Sequence, residues 1–181
     1  MSNEKPATVP VSGLLTSTST GDDGDLKIGL AWPTPRFKDN GDGTIKDNLT
    51  GLTWLQNARC IKIEYPNFDV DGEQEGRVTW QHALDFVAAI NSGTYPNCSG
   101  GYSDWRLPNR TELLSLLDYG NFHPMLPSNH PFTWVENYDY WTSTALAHAT
   151  SHAWLVDFSN GTSVNVPKTG VYRVWPVRGG N

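Results

Sequence analysis

Residues 36–55 read RFKDNGDGTIKDNLTGLTWL, and whether the aspartates in this stretch hold an ion or turn the chain decides what fold follows. An EF-hand loop presents oxygen ligands at positions 1, 3, 5 and 12, with glycine at 6. Counted from Asp39, the carboxylates fall at positions 1, 4 and 9 and Thr50 stands at 12, so the ligand register is wrong. Asp and Asn satisfy nearby backbone groups in tight turns, and Gly admits the positive φ those turns need. Asn-Gly and Asp-Gly are also the strongest short-range hairpin signals. The stretch therefore predicts a β-meander: a strand from Arg36, a turn at NGDG, the strand TIKD, a turn at NLTG and the short strand LTWL.

Beyond a polar acidic loop at residues 61–78, the run VTWQHALDFVAAINSG places Trp80, Ala83, Leu84 and Val87 at helical spacing, behind a Thr79 N-cap and ahead of Gly93. A second helix is expected in NRTELLSLLDYG. There Asn109 and Glu112 make a capping box, four leucines from Leu113 to Leu117 supply the apolar face, and Gly120 ends the run. From Tyr140 the pattern returns to strands: YWTST, HAWLVDF, TSVNV after the Asn160-Gly161 turn, and VYRVWPVRG. Strands, two helices, then strands, without β-α-β alternation, define an α+β class with antiparallel sheet. Residues 1–25, rich in Ser, Thr, Gly and Asp, read as a flexible N-terminal tail or linker, and residues 26–181 as one domain.

A chain of 181 residues can bury a core without a structural metal. The net charge of −6, with 13 scattered basic residues, argues against nucleic acid and anionic membrane, since both need a basic face. No stretch reaches 18 apolar residues, so membrane insertion is not expected. The opening MSNEKPATVPVSGLLTSTST lacks the basic start and apolar centre of a signal peptide. Cys60 and Cys98 leave open one disulfide or two unrelated buried thiols.

Motifs of covalent or metal catalysis are absent: there is no Gly-x-Ser-x-Gly, no His-Glu-x-x-His and no phosphate-binding glycine loop. No enzymatic activity and no cofactor are expected. Calcium is the one metal alternative, at Asp69, Asp71, Glu73 and Glu75, whose carboxylates recur at every other position; a solvated acidic loop is the commoner fate of such a run. The last third combines aromatic rings with amides and charges, as a saccharide or protein surface requires. Its candidate ligand contacts are His148, His152, Trp154, Asp157, Asn160, Asn165, Lys168, Tyr172 and Arg173. Trp141, Trp154 and Trp175 read first as core anchors of a small sheet.

Several stretches taken together, RFKDNGDGTIKDNLTGLTWLQNA, TWQHALDFVAAIN, GYSDWRLPNRTELLSLLDYG, YWTSTALA, AWLVDFSNG and VWPVRGG, resemble in order the bacterial domain family named after the C-terminal domain of the Legionella collagen-like adhesin. DWRLPN and PVRGG make the resemblance specific. It implies a C-type lectin-like fold, with two helices packed on antiparallel β-sheets. It also implies an extracellular, cell-surface or periplasmic location, a glycan or cell-surface protein as partner, assembly as a homotrimer, and a disulfide between Cys60 and Cys98. DWRLPN and PVRGG are expected to be fold determinants, Arg178 pairing with a buried carboxylate.

Each activity of the wider fold has to be checked against residues here. Sulfated glycosaminoglycan binding, known for the namesake, needs a basic patch, whereas this acidic chain offers only Lys168, Arg173 and Arg178 late in the domain. The Glu-Pro-Asn, Gln-Pro-Asp and Trp-Asn-Asp motifs of calcium-dependent lectins are missing, and no cysteine follows Cys98, as the related formylglycine-generating enzymes would require. The expectation is a non-enzymatic ligand-binding module of a bacterial or phage surface protein. The alternatives are a structural or oligomerisation domain and a variable protein of a diversity-generating retroelement.

Overall fold

The computed structural model describes residues 9–65 and 75–180. In chain order its elements are α1 (Asp23–Leu26), β1 (Phe37–Asp39), β2 (Thr44–Asp47), β3 (Thr53–Leu55), α2 (Cys60–Glu64), α3 (Trp80–Asn91), α4 (Arg110–Ser115), β4 (Asp139–Leu146), β5 (Ala149–Asp157), β6 (Ser163–Pro167) and β7 (Val177–Arg178). They build two antiparallel sheets, one ordered β1-β2-β3-β7 and one ordered β4-β5-β6, with short helices between them in sequence.

The opening stretch is a meander, and its aspartates turn the chain. Asp39 Oδ1 accepts the Gly41 N–H at 2.8 Å, and Asp42 Oδ1 accepts the Thr44 N–H at 3.0 Å and the Thr44 hydroxyl at 2.5 Å. Asp47 accepts the Leu49 N–H and the Thr50 hydroxyl, both at 2.9 Å. Gly41 and Gly43 take φ of +76° and +82°, the left-handed conformations such a turn needs. The Thr44 hydroxyl holds the Asp42 carboxyl below its usual range. Asp47 is fully buried 3.6 Å from Arg36 Nε, and Arg36 also donates to the Ser115 carbonyl, which ties the meander to the end of α4.

The core is aromatic. Trp54, Trp141, Trp175, Tyr140 and Phe158 are its largest wholly buried side chains with Phe86. Trp175 meets Trp54, Phe132, Tyr140 and Phe158 at centroid distances of 4.9 to 5.8 Å, and its Nε1 donates to the Leu55 carbonyl at 2.8 Å. The edge-to-face and tilted geometries are those aromatic quadrupoles prefer. Trp175 therefore stitches the two sheets together.

Both expected helices form with their expected caps. Thr79 accepts the His82 N–H, and Asn109 and Glu112 make a reciprocal capping box. The second helix stops at Ser115, however, five residues before Gly120. Leu116 and Leu117 donate to the carbonyls three residues back, tightening the chain into a turn that the Asp118 carboxylate then closes on the Gly120 N–H at 2.8 Å. The expected strand VYRVWPVRG is reduced to β7. Tyr172 and Arg173 make only isolated bridges to Val78 and Tyr140, and Pro176 has no N–H for a ladder. Residues 9–25, read as a tail, are described as a strap that runs into α1, with the Val11 N–H donating to Leu30 at 3.1 Å, the Leu30 N–H to Val9 at 2.8 Å and the Tyr119 N–H to Ser12 at 3.0 Å.

Cys60 and Cys98 are joined in a disulfide, with 5.8 Å between their Cα atoms, linking α2 to the 3-10 turn at residues 96–98. Arg178 departs from expectation: it pairs with exposed Asp104, at 2.6 Å and 3.1 Å, instead of a buried carboxylate. Arg106 is the residue of DWRLPN that knits, forking onto Glu112 at 2.7 and 2.6 Å and reaching the Gly179 carbonyl at 2.8 Å. Trp105 is buried and donates to the Ser99 carbonyl.

Candidate functional site

Burial fades along β5, from buried Ala153, Leu155 and Val156 toward exposed Thr150 and Ser151. Register places Trp154 opposite Asn165, His152 opposite Pro167 and Val156 opposite Ser163, so period two puts these side chains on one face of the sheet. Helix α4 packs over β4 and β5, and its first residue, Arg110, lays its guanidinium 4.0 Å from the centre of the Trp154 ring. Arg110 Nε donates to the Ser163 hydroxyl at 2.8 Å, and the Arg110 N–H to the Thr144 hydroxyl at 3.0 Å. A second cation lies over a ring on the other side of the alternation: Lys168 Nζ, next after Pro167, stands 3.8 Å from the centre of Trp80. The Trp80 Nε1 donates to the Thr142 carbonyl at 2.8 Å, and the Lys168 N–H to the Ser151 carbonyl at 2.9 Å.

Of the candidate contacts, His152, Trp154 and Asn165 come together on this face, with His148 exposed in the turn that joins β4 to β5, whereas Lys168, next after Pro167, is turned to the other side by the alternation. The others go elsewhere. Asp157 lies at the opposite end of β5, where it accepts the Ser159 N–H at 2.7 Å and the Asn160 amide at 2.8 Å, so both side chains shape the hairpin turn. Tyr172 packs edge-on against Trp141 at 4.9 Å. Arg173 is buried, pairs with Glu136 and lies 4.1 Å from the Tyr138 ring, which removes it from any direct ligand contact at this face. Of the three tryptophans read as anchors, Trp141 and Trp175 are fully buried while Trp154 is half-buried.

Arg110 belongs to the face but carries no signal in sequence beyond its helical role. Among the acidic-run residues, Asp69, Asp71 and Glu73 lie outside the described residues, and Glu75 pairs with Arg77 at 3.0 Å. Among the described residues, no group of three or more His, Cys, Asp or Glu side chains is placed to hold a metal ion. Asp139, opposite Asp157 at the base of the sheet, is pushed above the usual carboxylate range by burial and by that like charge.

Two antiparallel sheets stapled by tryptophan, with a cation-braced aromatic face on the later one, define a small α+β domain. The family model described as Lcl C-terminal domain matches residues 43–178, and the chain belongs to that family. Membership suggests a module of an adhesin-like surface protein and so a surface location. No curated protein matches the chain. Among the described residues, no helix is long and apolar enough to cross a membrane.

Proposed function

We propose that the protein is a non-enzymatic ligand-binding module of C-type lectin-like fold, carried on a bacterial or phage surface protein, which recognises carbohydrate or protein through its late strands. The observation that carries this reading is the half-buried Trp154 ring braced by Arg110, with His152 and Asn165 on the same face of a three-stranded sheet. Ring faces backed by cations next to amides are suited to stacking and hydroxyl recognition, and a sheet holds them without ordering on binding. The test is binding to a broad glycan array that includes sulfated polysaccharides, with calcium and again with EDTA. A saturable hit weakened by Trp154→Ala and by Asn165→Ala supports the reading, and EDTA sensitivity directs attention to the acidic run. Silence across the array leaves a protein ligand as the carbohydrate-free form of the same proposal, to be sought on intact cells.

An assembly role is the second reading, favoured by a separate observation. Val9, Leu15, Leu26, Ile28 and Leu30 are large, exposed and apolar, and all precede the residues matched by the family model. Large apolar side chains exposed within one short stretch of chain are suited to burial against a second copy. Mass in solution decides it, a monodisperse monomer at high concentration removing the assembly role.

A further inference from the structure

Outside the strand face, five residues form a chain of contacts around one carboxylate. Glu136 Oε1 lies 3.1 Å from Arg59 Nη1, and Glu136 Oε2 is bound by Arg173 Nε. Each arginine also backs an aromatic ring: Arg59 stands 5.6 Å from the centre of Trp134, and Arg173 stands 4.1 Å from the centre of Tyr138. The two rings nonetheless remain 59% and 57% exposed. Beside the Tyr138 ring opens a cleft of about 420 Å³, lined by His123, Val135, Glu136, Asn137, Tyr138 and Ser159, with Val135 one residue along the chain from Trp134.

The loop is fixed rather than draped. The Thr133 N–H donates to Gln56 at 2.8 Å and the Ala58 N–H to Thr133 at 3.0 Å; the Glu136 N–H donates to the buried Tyr140 hydroxyl at 3.0 Å, and the Phe158 N–H to Tyr138 at 3.1 Å. Trp134 itself holds φ of +56°. For so bulky a residue this is an outlier, and backbone strain of this kind collects at ligand sites and clamps. A tryptophan kept exposed in a disfavoured conformation gains nothing for the core.

We propose that the Trp134–Tyr138 loop is a binding site for a neutral saccharide. Sugar rings offer an apolar C–H face to an aromatic ring and hydroxyls to polar groups beside it, and the loop supplies both: two exposed rings, with Asn137, Ser159 and Glu136 in the cleft. The charge balance selects against anions. Arg59 and Arg173 already face Glu136, and Arg173 acts on the neighbouring Asp139 as well, so no surplus cation is left for a sulfate or carboxylate. The prefixed loop limits the ordering entropy of binding. The proposal rests on the binding role above but not on the strand face, and the two are separable.

The experiment is calorimetric titration of the full chain with cellohexaose, maltohexaose, xylohexaose and chitohexaose, and with heparin as the anionic probe. Binding of at least one neutral oligosaccharide is expected, weakened about tenfold or more by Trp134→Ala and by Tyr138→Ala. Val164→Ala, at an exposed apolar residue that belongs to neither site, is expected to leave that affinity unchanged. Both loop residues are exposed, and circular dichroism checks that the variants are folded. Binding lost in Trp154→Ala but kept in Trp134→Ala would overturn the proposal while supporting the strand face. So would preference for heparin, no response to any neutral probe, or a protein partner on cells whose capture alone depends on Trp134.

Discussion

Trp141 and Trp154 stand on neighbouring strands of one sheet and lead different lives. Trp141, opposite Leu155, is fully buried, with its Nε1 donating to the Val78 carbonyl at 2.8 Å and its ring against Tyr172. Trp154, one residue out of that register, points the other way, stays half-buried and takes a guanidinium on its ring. The pleat alone sends them to opposite faces. Burial with a satisfied N–H makes a tryptophan architectural, whereas partial exposure with a cation on one face leaves it free to serve a surface.

The contrast can be tested by truncation. Trp141→Ala is expected to destabilise by about 3 to 5 kcal/mol, as large aromatic deletions in a core do, and Trp154→Ala by about 1 kcal/mol. Urea unfolding of both variants measures the gap, and equal losses would end the distinction between the two rings. Replacing both cysteines by serine opens a loop with a sequence separation of 38 and is expected to remove about 3 kcal/mol. The bridge anchors α2 and the turn at residues 96–98, and the expected loss adds to that of Trp154→Ala, which the triple variant measures.

The smallest effect is electrostatic. Asp139 faces Asp157 across the ladder at the base of the same sheet, and burial together with this neighbour raises its pKa in the folded protein. A carboxyl with a raised folded pKa favours folding most in its protonated form, so its contribution is greatest below the ordinary value of 3.8 and is lost as pH rises through the folded value. Asp139→Asn is therefore expected to stabilise by a few tenths of a kcal/mol at neutral pH, the difference vanishing as pH falls below 3.8. Thermal melts across that range give the sign. A variant less stable at neutral pH would show that the carboxylate is satisfied where it stands.

What could be read in advance was whatever depends on near neighbours along the chain. The meander of residues 36–55, the Thr79 cap and the Asn109–Glu112 box involve partners within a few residues, and turn and capping chemistry specify them. The family resemblance added the Cys60–Cys98 pairing, which spacing alone left open. The second helix ran short because its continuation depends on what Asp118 and Arg36 do with its last turn, and Arg36 comes from the meander.

The candidate site was legible only in part for the same reason. Alternation along β5 placed Trp154 and His152 on one face, but Arg110 reaches that face from a helix packed across it. Arg173 looked like a ligand contact because charge near aromatics looks alike on paper, while its partner, Glu136, lies 37 residues away. The sequence by itself determined the class, the turns, the caps and the family, since these follow from local backbone chemistry and recurrent motifs. Only the tertiary structure decided which tryptophans are core, which arginines are already paired and which rings are left facing outward, because burial and charge pairing are properties of elements brought together from distant parts of the chain.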